Sequence, residues 1–182
     1  MCIRDREKEE LPKETQREYT RNILRSSERL GNLITNMLKL NKLEKQVIQP
    51  VSQSYDLCRQ LSDCALQFEN QWEEKNIEFE AELEERVTIM ADEGLLELVW
   101  TNLLSNAVKF TPSGGTITLS QISDGENVTV SVADTGCGMD EETVKHVFDK
   151  FYQGDASHST QGNGLGLALV KRLSLIHISE PT

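Results

Sequence analysis

The sequence predicts an α+β protein: an α/β sandwich with helices on one face of a mixed β-sheet, preceded by one long coiled-coil-like helix. Three observations support this fold class. They are a proline-free stretch with a near-heptad apolar stripe, several short segments of alternating polarity, and helical patterns between those segments. An order of helix, strands, helix and strands is typical of two packed layers around one core.

The long helix is predicted from about Glu14 to Lys45. Ile23, Leu30 and Met37 recur every seven residues, and polar residues cover the other faces. Alone, this helix would leave its apolar stripe in water, so it needs partner helices. A proline follows soon after, and we place a domain boundary near residue 46.

The elements after the boundary follow from changes in the hydrophobic period. In chain order we predict a helix that begins after Ser52 or Ser54 and runs through Trp72, strands over 77–83 and 87–91, a helix over 92–110, hairpin strands over 116–123 and 128–134, a short helix over 140–147 and a final helix over 165–173.

Composition limits the classes of partner and compartment. The 182 residues carry a net charge of −11, which repels nucleic acids and anionic membrane surfaces at long range. No apolar run approaches the ~18 residues of a membrane-spanning helix, and the four cysteines lack zinc-ligand spacing. We therefore expect a reduced, cytoplasmic chain that binds no nucleic acid.

Asn102, Asn106 and Lys109 form the first polar motif. They lie at positions i, i+4 and i+7 of the helix predicted over 92–110, and therefore share one face. The helix is otherwise apolar, and buried amide or amine groups need partners. In isolation, helix capping or solvent contact explains these residues as well as a ligand does.

Two glycine-rich motifs follow. Residues 134–138, Asp-Thr-Gly-Cys-Gly, come directly after a strand, where a carboxylate beside glycines lets a flat ligand approach the backbone; a plain β-turn is the alternative. Residues 162–166, Gly-Asn-Gly-Leu-Gly, precede a helix whose N-terminal N–H groups attract phosphate; a flexible linker is the alternative. Neither motif matches a dinucleotide fingerprint, and there is no Walker-type Gly-Lys-Ser/Thr.

Four motifs occur in a fixed order along the chain: the asparagine helix, Asp-x-Gly-x-Gly, the aromatic segment 148–152 (Phe-Asp-Lys-Phe-Tyr) and Gly-x-Gly-Leu-Gly. This series resembles the N, G1, F and G2 boxes of the sensor histidine kinase ATP-binding domain. We assign residues 47–173 to that domain, C-terminally incomplete, and the resemblance implies its Bergerat-type fold. Residues 7–46 resemble the second helix of the dimerisation and phosphoacceptor domain of these kinases.

The resemblance implies a role for each motif residue. Asn106 would hold Mg²⁺ through its side-chain oxygen, with Asn102 polarising the phosphate or a bound water and Lys109 reaching the phosphates. Asp134 would accept a hydrogen bond from the adenine amine, and residues 153–161 would form a mobile lid. The other residues expected to bind ATP are Phe110, Gly136, Gly138, Phe151, Gly162, Gly164, Leu165 and Gly166.

The implied activity is transfer of the ATP γ-phosphate to a histidine of the dimerisation domain, for relay to the receiver domain of a response regulator. The resemblance also implies that the kinase is a homodimer through its N-terminal helix. Its parent protein would be anchored in the inner membrane, and only through upstream segments. Related gyrase- and chaperone-type ATPases carry a glutamate base where Asn102 stands, and an amide cannot act as a base. An ATP-hydrolysing enzyme is therefore the second interpretation, and a non-catalytic nucleotide-binding regulator is the third.

Two departures from the family pattern stand out. None of the three histidines, His146, His158 and His177, has the surroundings expected of a phosphoacceptor. The family also continues after the last helix with further strands, which residues 174–182 do not resemble. Residues 1–6 and 174–182 resemble translated sequencing-adapter sequence, so we expect neither end to contribute to fold or function.

Overall fold

The computed structural model describes residues 12–45, 50–154 and 164–178. Its helices are α1 (Lys13–Lys45), α2 (Leu57–Leu66), α3 (Glu69–Glu74), α4 (Glu93–Phe110), α5 (Glu141–His146) and α6 (Gly166–Ile178). Its strands are β1 (Gln53–Asp56), β2 (Glu78–Glu82), β3 (Thr88–Ala91), β4 (Thr116–Ser123) and β5 (Val128–Asp134). Within these ranges, no helix combines the length and the apolar character that crossing a membrane requires.

The chain divides into two compact units, residues 1–39 and 40–182. Most of α1 lies in the first unit, and this helix confirms the predicted long helix. Its apolar stripe is exposed to solvent: the exposed fractions of Ile23, Leu30 and Met37 are 65%, 58% and 47%. An exposed apolar stripe at heptad spacing is typical of a helix that packs against other helices.

The second unit is built on a mixed sheet, as the sequence predicts. β4 lies in the centre, parallel to β2 and antiparallel to β5. β1 and β3 form a separate antiparallel pair. Along β4, Ile117, Leu119 and Gln121 are buried while their neighbours are not, because successive side chains of a strand point to opposite faces.

α4 is the central helix of this unit and contacts α2, α6 and β5. Leu104 packs with Leu61 of α2 and Leu119 of β4 in one buried cluster. Ala107 and Val108 belong to a second cluster that includes Ile117. The buried face of α4 therefore rests on the sheet and fixes the position of its opposite face, which carries the asparagines.

Two predictions for the helical region before β2 are wrong. The helix expected after Ser52 or Ser54 begins only at Leu57, because Gln53–Asp56 pair with β3 and the Asp56 carboxylate caps α2 by accepting hydrogen bonds from the N–H groups of Cys58 and Arg59. That helical region is also divided, since α2 ends at Leu66 and α3 is a separate short helix.

The last helix was expected to end at Leu173, but α6 continues to Ile178. Neither glycine nor proline occurs between residues 174 and 178 to stop it. Leu173 itself is fully buried among residues of α4 and α6.

Asp92 is expected to contribute about 1 kcal/mol to the free energy of unfolding, as an N-cap of α4 typically does. One carboxylate oxygen accepts a hydrogen bond from the Leu95 N–H (3.0 Å), and the other accepts one from the Val51 N–H (2.9 Å). In urea denaturation, Asp92→Ala should lose this energy and Asp92→Asn should lose less, because asparagine also caps helices. Equal losses in the two variants would contradict the capping role.

Candidate functional site

The polar face of α4 carries the three residues singled out in the sequence, and all three side chains are half-buried. The side-chain amide nitrogen of Asn102 donates a hydrogen bond to the Leu98 carbonyl of its own helix (2.6 Å). Its side-chain oxygen faces Gly166, where an added Cβ would lie 2.7 Å from that oxygen. The first motif therefore meets the beginning of α6, and glycine at position 166 permits the close approach.

The end of α4 brings together Asn106, Lys109 and Phe110. The Lys109 ammonium lies 4.3 Å from the centre of the Phe110 ring, a cation–π distance. The Asn106 side chain forms no hydrogen bond with another residue of the described ranges. Its amide oxygen is therefore an uncommitted acceptor on a half-buried residue, which lies three positions before Lys109 on the same face of α4.

The second motif lies against the same end of α4. Asp134 is the last residue of β5, and its side-chain oxygen Oδ1 accepts a hydrogen bond from the Gly136 N–H (2.9 Å). A Cβ at Gly136 would lie 2.9 Å from the Phe110 carbonyl oxygen and 2.5 Å from Asp134 Oδ1. Only glycine fits there without a shift. Gly138 has a φ of 67°, and Cys137 between the two glycines is exposed.

The third motif is joined to the aromatic segment. The Phe151 N–H donates a hydrogen bond to the Gly164 carbonyl (2.7 Å), and both residues have positive φ angles, 64° and 62°. Leu165 is buried, and Gly166 begins α6. Gly162 and most of the proposed lid, residues 155–161, lie outside the described residues.

The structure therefore links the predicted site residues through three close approaches: Asn102 with Gly166, Phe110 with Gly136, and Phe151 with Gly164. Two of the three involve α4. Sequence reasoning missed Lys75, whose ammonium donates hydrogen bonds to carbonyls at the end of α4. A single lysine lying 33 residues or more from its partners carries no sequence signal.

Comparison with known proteins agrees with this arrangement. Residues 91–179 match the model of the family described as histidine kinase-, DNA gyrase B-, and HSP90-like ATPase. The matched segment contains all three motifs.

Among relatives, the chain is 34% identical to the sensor protein CreC of Escherichia coli over 94% of its own length, and 39% identical to the circadian input-output histidine kinase CikA of Synechococcus elongatus over 90%. It spans 36% and 22% of those two proteins. A crystal structure of full-length ShkA in complex with AMPPNP is 34% identical, with a TM-score of 0.76 over 92% of this chain and 35% of that one.

The chain therefore contains the ATP-binding domain of the sensor histidine kinases, which belong to this ATPase family. The resemblance noted in the sequence and the fold that it implies are both confirmed.

Proposed function

We propose that this domain binds ATP with Mg²⁺ and transfers the γ-phosphate to a histidine of the dimerisation domain in its parent protein. The observation that carries the proposal is the position of α4, which touches one glycine motif through Phe110 and the other through Asn102. One helix thereby lies beside both the loop suited to a flat ring and the helix start suited to phosphates. The crystal structure of ShkA with AMPPNP supports nucleotide binding by this fold.

The adenine end of the proposed site is the loop after β5. Oδ1 of Asp134 is held by the Gly136 N–H, which fixes the orientation of the carboxylate. The second oxygen, Oδ2, has no hydrogen-bond partner in the part of the chain described, and the side chain is exposed. It suits the exocyclic amine of adenine, because a carboxylate is acceptor-only. Because Gly136 has no Cβ, the loop packs closely against the Phe110 carbonyl, which places Asp134 beside the end of α4.

The phosphate end lies along the polar face of α4 and at the start of α6. Asn106 supplies a neutral oxygen ligand of the kind that Mg²⁺ accepts alongside phosphates and water. When bound, the ion would neutralise phosphate charge. Lys109 supplies a cation, and the N–H groups of Gly164, Leu165 and Gly166 lie where α6 begins, an end that favours anions.

Asn102 favours transfer over hydrolysis. Its amide nitrogen is committed to the Leu98 carbonyl, so its oxygen is the atom that faces Gly166. A neutral amide cannot take a proton from an attacking water, whereas a hydrolytic enzyme needs a positioned base. The site therefore stabilises and orients the phosphates and leaves the nucleophile to another group.

The proposed partners follow from the same assignment. The exposed stripe of α1 would form a homodimeric helical bundle in the parent kinase, and the receiver domain of a response regulator would accept the phosphoryl group. The phosphoacceptor is expected outside residues 1–182. His146 instead lies 2.7 Å from the Asp149 carboxylate, in a pair that belongs to the turn after α5.

Two measurements test the function. Calorimetry should detect Mg·ATP binding, and the parent kinase should incorporate an acid-labile, base-stable phosphoryl label on histidine. Steady phosphate release without protein label would instead support the ATPase interpretation, and binding with neither product would support a regulator.

Cysteine reactivity offers an independent prediction. Cys137 is exposed inside the proposed adenine loop, whereas Cys58 and Cys64 are buried; burial raises the pKa of Cys58, and it raises that of Cys64 to about 11. With iodoacetamide at pH 8, Cys137 should be alkylated well before the two buried thiols, because the thiolate is the reactive form. Mg·ADP should slow alkylation of Cys137 when peptides are followed by mass spectrometry. Unchanged labelling at saturating nucleotide would contradict the proposed placement.

A further inference from the structure

Lys75 is bound to the end of α4 by three hydrogen bonds. Its ammonium donates to the carbonyl oxygens of Val108 (2.6 Å), Lys109 (3.1 Å) and Thr111 (3.0 Å). The last carbonyls of a helix have no partner within the helix, and a cation at this end also interacts favourably with the helix dipole. A single half-buried side chain, 33 or more residues away in sequence, thus supplies hydrogen bonds to the last carbonyls of α4.

The backbone around Lys75 is hydrogen-bonded to the turn that follows α4. The Lys75 carbonyl accepts a hydrogen bond from the Gly114 N–H (3.1 Å), and the Glu78 N–H donates to the Gly115 carbonyl (2.9 Å). Between these bonds, Asn76 has a φ of 52°, a left-handed conformation that turns the chain from α3 into β2. The turn after α3 and the turn after α4 therefore hold each other through both side-chain and backbone contacts.

The three carbonyls bound by Lys75 flank the carbonyl of Phe110, the atom that faces Gly136. Fixing the peptide groups on either side of Phe110 fixes the direction of its own carbonyl and hence the surface against which the adenine loop rests. We infer that Lys75 is a positioning residue for nucleotide binding, acting through Phe110 on the loop that begins at Asp134. The inference rests on the proposed function.

The test compares affinity with stability in the full 182-residue chain. Lys75→Met removes the ammonium and keeps a side chain of similar length, while Lys75→Arg keeps donors for the same carbonyls. The control is Asp56→Ala, which removes the N-cap of α2, a helix that contributes no residue to the site. Calorimetry with Mg·ADP gives the Kd of each variant, and thermal unfolding gives its Tm.

Lys75→Met should bind Mg·ADP about tenfold more weakly, because a tenfold change in Kd corresponds to the free energy of roughly one hydrogen bond. Lys75→Arg should have a Kd close to that of the wild type. Asp56→Ala should have a lower Tm with unchanged affinity. If Lys75→Met does not fold, Lys75→Gln, which keeps two donors on a shorter side chain, should show an intermediate loss.

Wild-type affinity in Lys75→Met, or in Lys75→Gln where the methionine variant does not fold, would overturn the inference and leave the proposed function intact. A loss of affinity in Asp56→Ala in proportion to its lower Tm would also overturn it, because the effect would then be general destabilisation. A wild-type chain that binds no Mg·ADP would overturn the proposed function and this inference together.

Discussion

Asp134→Asn should weaken Mg·ATP binding by about 10- to 100-fold in calorimetric titration. A hydrogen bond to a charged group contributes roughly 1.5–3 kcal/mol, and each 1.4 kcal/mol is about a tenfold change in Kd. The local turn should survive, because the asparagine side-chain oxygen can still accept the hydrogen bond from the Gly136 N–H. The loss of affinity would therefore reflect the change at Oδ2, the oxygen proposed to face adenine, and not a change in the loop.

Asp124→Asn is the matched control. Asp124 directly follows β4 and also begins an aspartate turn, in which its Oδ1 accepts hydrogen bonds from the N–H groups of Glu126 (3.0 Å) and Asn127 (2.7 Å). These bonds lower the pKa of its carboxyl, but the residue belongs to the β4–β5 hairpin turn and not to the proposed site. Its substitution should leave the Kd unchanged. Equal losses in the two variants, or none at Asp134, would reject the adenine assignment.

Gly164→Ala should lower the free energy of unfolding by about 2–5 kcal/mol in urea denaturation. The left-handed conformation costs an alanine roughly 1–2 kcal/mol, and overpacking adds roughly 1–3 kcal/mol. The added Cβ would lie 2.6 Å from the Phe151 carbonyl carbon and 2.6 Å from the Tyr152 carbonyl oxygen, both backbone atoms that cannot simply rotate away. The hydrogen bond from Phe151 to Gly164 should break with it.

Gly125→Ala separates the two contributions. Gly125 has a φ of 95°, so alanine is strained there too, but no heavy atom lies within 4 Å of the added Cβ. This variant should lose only the conformational part, about 1–2 kcal/mol. If Gly164→Ala were no more destabilising than Gly125→Ala, the close approach between the aromatic segment and the last glycine motif would be refuted.

Local signals were sufficient for α4 and for the β4–β5 hairpin. Alternating polarity over 116–123 and 128–134 predicted strands with the observed bounds, because the pleat enforces a period of two. The helix predicted over 92–110 corresponds to α4, and the structure shows that Asp92 is its N-cap. The polar spacing of Asn102, Asn106 and Lys109 likewise placed them correctly on one face.

Long-range pairings were beyond local signals. β1 is too short to show a period, and it exists because Gln53–Asp56 pair with Thr88–Ala91 across the intervening helices. The contact of Gly166 with Asn102 and the three bonds of Lys75 join residues far apart in the chain. The sequence could suggest that glycines and asparagines belong to one site, but which glycine faces which group depends on packing.

α4 belongs to the core and to the proposed site at once: Leu104 and Ala107 are buried on one side of it, and Asn102 and Asn106 lie on the other. Unfolding this helix would release the nucleotide, so the two equilibria are thermodynamically linked. ATP at a hundred times its Kd would add about 2.7 kcal/mol to the free energy of unfolding. The domain with nucleotide bound should therefore resist urea and heat better than the free domain.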